Sequence, residues 1–178
     1  DGRVGTGNYW VIIPLVFCEN RNVQLLQEVL VNQLGYRKQH PYEAMLQEML
    51  QQFRDGAPQH QAFAQAEKSG RTFHGRTFPN IDGIKLLSHT MGCGGTKQDA
   101  RTLCGLLAGY ITHPNVAGAT VLSLGCQNAQ IPMLKEEIEK RVPGSDRTVI
   151  YLEQQQTGSE KELMTQAIKQ TLEGLTKA

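Results

Sequence analysis

Residues Tyr9 to Cys18 read YWVIIPLVFC, a stretch with no charge and almost no break in apolar character. A strand with one wet face alternates apolar with polar residues, so an unbroken run implies a strand covered on both faces. Three shorter runs share this property: Gly83 to Ser88 (GIKLLS), Ala119 to Leu124 (ATVLSL) and Thr148 to Leu152 (TVIYL). Around them the apolar period lengthens to that of a helix. Val23 to Leu34 sets Val23, Leu26, Val29, Leu30 and Leu34 on one face, and similar periods cover Tyr42 to Phe53, Ala100 to Ile111, Met133 to Val142 and Glu160 to Leu175. Strands alternating with helices call for right-handed crossovers and a mostly parallel sheet. The expected fold is therefore α/β, a three-layer domain with about four principal strands and helices on both faces. Pro14 cannot donate to a ladder, which predicts a bulge or an edge at that point.

Residues Tyr36 to Asn80 break the rhythm. They hold an amphipathic helix, a Gln- and Ala-rich stretch from Ala57 to Ser69, and a doubled Gly-Arg-Thr-Phe at Gly70 and Gly75. We read them as a helical insertion in the first crossover of a single domain spanning residues 1–178. The Gly-Arg-Thr-Phe doublet is too short for a structural repeat and reads as a surface loop. Charge excludes two classes of partner. Lys plus Arg total 18 against 17 for Asp plus Glu, which leaves no large basic field for nucleic acid or an anionic membrane. No apolar run approaches the roughly 20 residues of a membrane helix, and no signal-peptide pattern opens the chain. A soluble, cytoplasmic protein is expected, and a chain that opens at Asp1 without methionine is expected to be part of a longer one.

The four cysteines, Cys18, Cys93, Cys104 and Cys126, lack the close spacings of a zinc ribbon or a C-x-x-C site. Cys104 lies mid-helix in RTLCGLLAGY and reads as a small buried hydrophobe. The other three follow three different strands, and in an open parallel sheet all such ends face one edge, where ligands bind. Each is followed by groups suited to a site: Asn20 and Asn22 after Cys18, Gly94 and Gly95 after Cys93, and Gln127, Asn128 and Gln130 after Cys126. Helix N-termini just beyond would lower a thiol's pKa and attract anions. Soft thiolates there suit iron, an iron-sulfur cluster or zinc. His89, four residues before Cys93, is a candidate metal ligand or general base. The P-loop pattern fails in TMGCGGTKQD, because Thr96 and Gln98 stand where Gly and Ser or Thr belong. A carboxylate or phosphate cradled by the Gly94 and Gly95 amides remains a reasonable reading.

Four segments, DGRVGTGNYW at Asp1, SHTMGCGGTKQD at Ser88, HPNVAG at His113 and LGCQNAQ at Leu124, resemble in order the motifs of the altronate and galactarate dehydratase family, which also includes sulfolactate sulfo-lyase. The resemblance runs from Asp1 to about Thr157. It implies an iron-dependent hydro-lyase, with Fe2+ or an iron-sulfur cluster, that removes water from a 2,3-dihydroxy sugar acid to give a 2-keto-3-deoxy acid. On this reading Cys18, Cys93 and Cys126 are metal ligands and His89 and Gln127 catalytic. Thr6, Asn8, Asn20, Gly94, Gly95, Asn128 and Gln130 are substrate-binding. Two departures stand out: Gly7 where the family usually carries Lys or Arg, and Gln127 where it commonly carries Glu. The family's small N-terminal domain and a C-terminal region with a Cys-Gly-Gly-Ser-Asp motif are not in this chain, which looks like the central domain. The implied partners are a small sugar acid, those flanking domains and a second copy in a homo-oligomer. A non-catalytic sugar-acid or anion-binding module, with structural thiols or a structural zinc site, is the rival reading.

Overall fold

A computed structural model describes residues 4–38, 40–55 and 75–178. Along the chain the elements are β1 (Tyr9–Pro14), a 3-10 turn (Phe17–Glu19), α1 (Asn20–Gln33), α2 (Pro41–Arg54), β2 (Gly83–Leu86), α3 (Lys97–Ile111), β3 (Val116–Ser123), α4 (Ile131–Arg141), β4 (Thr148–Glu153), α5 (Gln154–Thr157) and α6 (Glu160–Leu175). The four strands form one all-parallel sheet in the order β2-β1-β3-β4. Successive β1 side chains enter opposite cores, which accounts for its unbroken apolar run. Val11, Ile13 and Leu15 pack with Leu103, Cys104 and Leu107 of α3 and Leu134 of α4. Trp10 and Ile12 pack with Val23, Leu26 and Leu30 of α1 and Leu163 and Ala167 of α6. The result is the expected three layers, helix, sheet and helix. No described helix is long and apolar enough to cross a membrane.

The chain divides into two compact units, Asp1–Tyr36 with Thr77–Ala178, and Arg37–Arg76. The first contains the sheet and the helices packed on it. Within the second, His40 caps α2, its Nδ1 accepting from the Tyr42 N–H at 3.4 Å, and Arg37 pairs with Glu43 at 2.8 Å. The Gln- and Ala-rich stretch Ala57 to Ser69, the Gly-Arg-Thr-Phe copy at Gly70, His60 and His74 lie outside the described residues.

Element ends differ from the sequence expectation for local reasons. α3 starts at Lys97, three residues early, because Thr96 and Asp99 form a capping box: the Thr96 hydroxyl accepts from the Asp99 N–H and the Asp99 carboxylate from the Thr96 N–H. Ser159 and Glu162 do the same for α6, whose bounds match the expectation. β1 stops at Pro14 rather than Cys18, so Cys18 lies in the 3-10 turn and does not close the strand. Pro14 is neither at a sheet edge nor in a bulge; the register shift of β1 falls at its other end, between Tyr9 and Trp10. Ile12 accepts from the Leu87 N–H at 3.0 Å, whereas Leu15 donates to Leu122 at 2.7 Å, so even-numbered residues turn their backbone toward β2. The last β2 pair is Ile12 with Leu86. The N–H that Pro14 lacks thus has no ladder partner to lose.

Trp10 is fully buried, and its Nε1 donates to Thr120 Oγ1 at 3.0 Å, which in turn lies 2.7 Å from Thr171 Oγ1 of α6. The ring fits because Gly118 and Gly174 have no side chain: a Cβ would lie 2.4 Å and 2.3 Å, respectively, from Trp10 ring carbons. At Gly118 it would also meet the Thr148 carbonyl at 2.8 Å. We expect Gly118→Ala to lower the unfolding free energy by about 1–3 kcal/mol through overpacking. Gly109→Ala, in α3, places its Cβ at an ordinary 3.7 Å from Arg141 and should stabilise by up to about 1 kcal/mol through helix propensity. Urea denaturation of both variants tests this, and equal stabilities would remove Trp10 packing as the cause.

Candidate functional site

The chain leaves β1 toward β2 on one side and leaves β3 toward β4 on the other. The carboxyl ends of β1 and β3 therefore flank the switch point at which open parallel sheets bind ligands. α1 leaves it on one face and α4 on the other. A third loop, residues 87–96 between β2 and α3, bridges the two flanking loops. Phe17 donates to the Met91 carbonyl at 2.9 Å, and Asn128 and Ala129 donate to the Gly92 carbonyl at 3.0 and 3.1 Å. Gly92 sits with φ +102° against the end of β1, where a Cβ would come 2.4 Å from the Leu15 carbonyl and 2.7 Å from Val16 Cα. Only glycine tolerates both conditions.

Cys18, Cys93 and Cys126 are on these three joined loops, and each is a free, exposed thiol. Cys104 is buried, and desolvation pushes its thiol up to about 11. His89 has both ring nitrogens engaged. Nε2 lies 2.7 Å from the Pro14 carbonyl and must donate to it; Nδ1 accepts from the Met91 N–H at 3.1 Å. That is a neutral imidazole with no lone pair left over. Asn20 Nδ2 donates to the His89 carbonyl at 2.7 Å, while Asn20 Oδ1 is buried with no partner among the described residues.

Gln127 points inward, at 2% exposure. Its Oε1 accepts from the Gly125 N–H at 2.7 Å, and its Nε2 donates to Ser123 Oγ at 2.5 Å and the Ala129 carbonyl at 3.0 Å. An amide supplies both functions at once, so Gln127 shapes the loop that carries Cys126. Gln130 Nε2 donates to the carbonyls of Gly125 and Gln127, and Asn128 Nδ2 reaches the Gly95 carbonyl at 3.4 Å. Gly94 and Gly95 are exposed with φ of +71° and +80°. Beside them the Asp99 carboxylate already occupies the α3 N-terminus, its pKa lowered by the Thr96 backbone N–H and then the Thr96 hydroxyl. The chain's own anion thus lies where an incoming anion was expected.

Thr6 and Asn8 lie elsewhere. They precede β1, whose six residues separate the two sheet edges by about 20 Å. Thr6 N–H donates to Asn115 Oδ1 at 2.8 Å, Asn8 N–H to Asp82 Oδ2 at 2.8 Å, and Asn8 Nδ2 to the Asn80 carbonyl at 3.0 Å. These bonds tie the entry of β1 to the turns before β3 and β2. The structure brings together the loops of Cys18, His89, Cys93, Gly94, Gly95, Cys126, Gln127, Asn128 and Gln130, and leaves Thr6 and Asn8 at the opposite edge.

The family described as D-galactarate dehydratase/Altronate hydrolase, second domain, matches residues 1–178. The chain belongs to this family. Among curated proteins, altronate dehydratase of Bacillus subtilis (strain 168) is 30% identical over 90 residues, 51% of this chain and 18% of that protein. Altronate dehydratase of Escherichia coli (strain K12) is 35% identical over 57 residues, 32% of this chain and 12% of that protein. The chain thus spans less than a fifth of either relative in the matched region. No solved structure matches.

In this galactarate/altronate dehydratase second domain, the described residues alone offer iron no ready centre. Among the described residues no three His, Cys, Asp or Glu side chains gather closely enough to hold one metal ion. The loops meet through backbone hydrogen bonds, and their thiols face solvent instead of one another's site. Sequence reading missed Glu19, next to Cys18. The residue is 1% exposed, and its carboxylate accepts from Asn22 Nδ2 at 2.9 Å. Buried perturbed carboxyls mark functional sites more often than random positions. The only signal in FCEN was an acid directly after an apolar run, and acids are ordinarily expected in solvent.

Burial raises the Glu19 pKa, the Asn22 bond opposes this, and the charge of Glu160 at the start of α6 adds to it. The folded state therefore holds this proton more tightly than the unfolded chain. The associated stability is complete below the ordinary glutamate value of about 4.3 and is lost as pH rises through the raised folded value. Glu19→Gln keeps an acceptor for Asn22 without the charge. We expect the variant to match the wild type near pH 4 and to exceed it in stability at neutral pH. Urea unfolding of both proteins across that range reads the difference; a wild type that gains on the variant as pH rises would contradict it.

Proposed function

We propose that the chain is the second domain of a hydro-lyase that dehydrates a sugar acid such as altronate to a 2-keto-3-deoxy acid. The observation that carries this reading is the family match over the whole chain, supported by the altronate dehydratase names of its relatives. In that reaction the proton on the carbon beside the carboxylate leaves, the hydroxyl on the next carbon departs as water, and the resulting enol becomes the ketone. The proton is weakly acidic, so the site must stabilise the charge that develops on the carboxylate. Stabilisation and proton removal need groups beyond those described, because His89 has no free nitrogen and Asp99 guards the α3 N-terminus.

This domain contributes a rigid rim. The buried Oδ1 of Asn20, without a partner among the described residues, offers an acceptor to a substrate hydroxyl or a bound water, the kind of partner such an atom requires. Cys18, Cys93 and Cys126 present soft donors from three joined loops. No step is assigned to iron: a metal reaching these thiols would draw its other ligands from outside the described residues. The remainder of the enzyme closes the site and excludes water.

The test uses the intact protein, prepared without oxygen and supplied with iron, on altronate in D2O. The enol should take up one deuteron at C3 of the 2-keto-3-deoxy product, visible by NMR. Cys93→Ser should lower turnover about tenfold or more, whereas Cys104→Ser, a hydroxyl placed in the core, should cost about 1–3 kcal/mol of stability and leave turnover per folded molecule unchanged. Absence of turnover on altronate and galactarate would end the enzyme reading. Normal turnover in Cys93→Ser would remove that thiol from it.

A further inference from the structure

Parallel pairing joins β1 to β2 from Tyr9 with Gly83 to Ile12 with Leu86, and Leu87 donates to the Ile12 carbonyl at 3.0 Å. One rung further the acceptor is the Pro14 carbonyl, and the residue due to serve it is His89. The donor there is the ring of His89, with Nε2 at 2.7 Å, in place of a ladder N–H. The chain thereby leaves the strand after Leu86. Nδ1 of the same ring takes the Met91 N–H at 3.1 Å, and Asn20 Nδ2 holds the His89 carbonyl at 2.7 Å.

We propose that His89 is a positioning residue: its ring splints the loop 87–96 to the end of β1 and through it sets the three thiol loops against one another. The joints come directly after the ring's second bond. The Met91 carbonyl accepts from Phe17, beside Cys18, and the Gly92 carbonyl, beside Cys93, accepts from Asn128 and Ala129, close after Cys126. A rigid imidazole holds its donor and its acceptor at one fixed separation. The strand end and the loop are thus locked together by a single side chain. Its bearing on turnover rests on the proposed dehydratase activity; its hold on the loops does not.

The test compares His89→Gln with His89→Phe in the intact protein. Glutamine supplies a donor nitrogen and an acceptor oxygen but takes no proton from a substrate. Phenylalanine keeps a ring and supplies neither. Hydrogen–deuterium exchange is read by mass spectrometry on peptides holding Phe17, Met91, Asn128 and Ala129. It should quicken about tenfold in His89→Phe, the scale of one lost hydrogen bond, and return to within about threefold of the wild type in His89→Gln. Peptides from β3 should be unchanged in both. Turnover on altronate should fall with the phenylalanine and be rescued by the glutamine, whereas loss of a general base costs about 10²- to 10⁴-fold. Should His89→Phe not fold, His89→Ala repeats the comparison. Three results would overturn the proposal: wild-type exchange in His89→Phe, exchange in His89→Gln as fast as in His89→Phe, or wild-type exchange in His89→Gln with turnover down about a hundredfold. A wild type without turnover on altronate and galactarate ends the enzyme reading alone, and the exchange comparison still decides the splint.

Discussion

β1 meets water on neither face, and it is hydrogen-bonded on both sides. Two helical layers, two neighbouring strands and the loops at both ends take their positions from this one segment. Trp10 alone joins β1, β3 and α6, through the Thr120 and Thr171 hydroxyls and the two glycines that make room for its ring. A buried indole N–H and two buried hydroxyls satisfy one another there, so the polar atoms cost little where they would otherwise be expensive. The pocket is specific in shape as well as chemistry, which fixes the register of β3 against β1 more tightly than aliphatic packing would.

The same strand organises the carboxyl edge of the sheet. Gly92 rests on the end of β1, and its carbonyl receives two N–H groups from the loop after β3. Three loops of different sequence origin thereby become one surface. The family motifs divide between the two ends of the sheet: those around Cys93 and Cys126 form the carboxyl edge, whereas Thr6, Asn8 and Asn115 close the amino edge. The amino-edge residues hold the chain's entry into β1, so their distance from the thiols does not make them idle; they set the strand on which the thiol loops rest.

Much of the fold was legible because burial on both faces leaves an uninterrupted apolar run, and β1, β2, β3 and β4 each carried one. The helices were legible from period and the start of α6 with them; that of α3 was not, because its capping box rests on two polar residues, Thr96 and Asp99, that stand outside the apolar period. The end of β1 was misplaced by four residues because Leu15, Val16 and Phe17 are as apolar as the strand and only the backbone turns away. The site was legible at the level of loops, which topology dictates, and not at the level of side chains. Gln127 and His89 look alike in sequence as polar residues beside a cysteine, yet both direct their polar atoms into the backbone. Glu19 and the unpaired Asn20 Oδ1 left no trace, because burial of a single acid or amide oxygen follows from tertiary contacts and not from pattern.

The contrast between one sealed thiol and three open ones also governs how the protein ages. Oxidants and alkylating reagents act on accessible sulfur. Cys104, buried in the core and held protonated by its surroundings, is shielded until the domain opens. Cys18, Cys93 and Cys126 have no such shelter, and damage to any of them falls on loops that share hydrogen bonds. Sulfenic acid formed there would add bulk and polarity at the rim while the two cores stayed intact. Such a molecule would carry its damage at the carboxyl edge of the sheet with its fold unmarked.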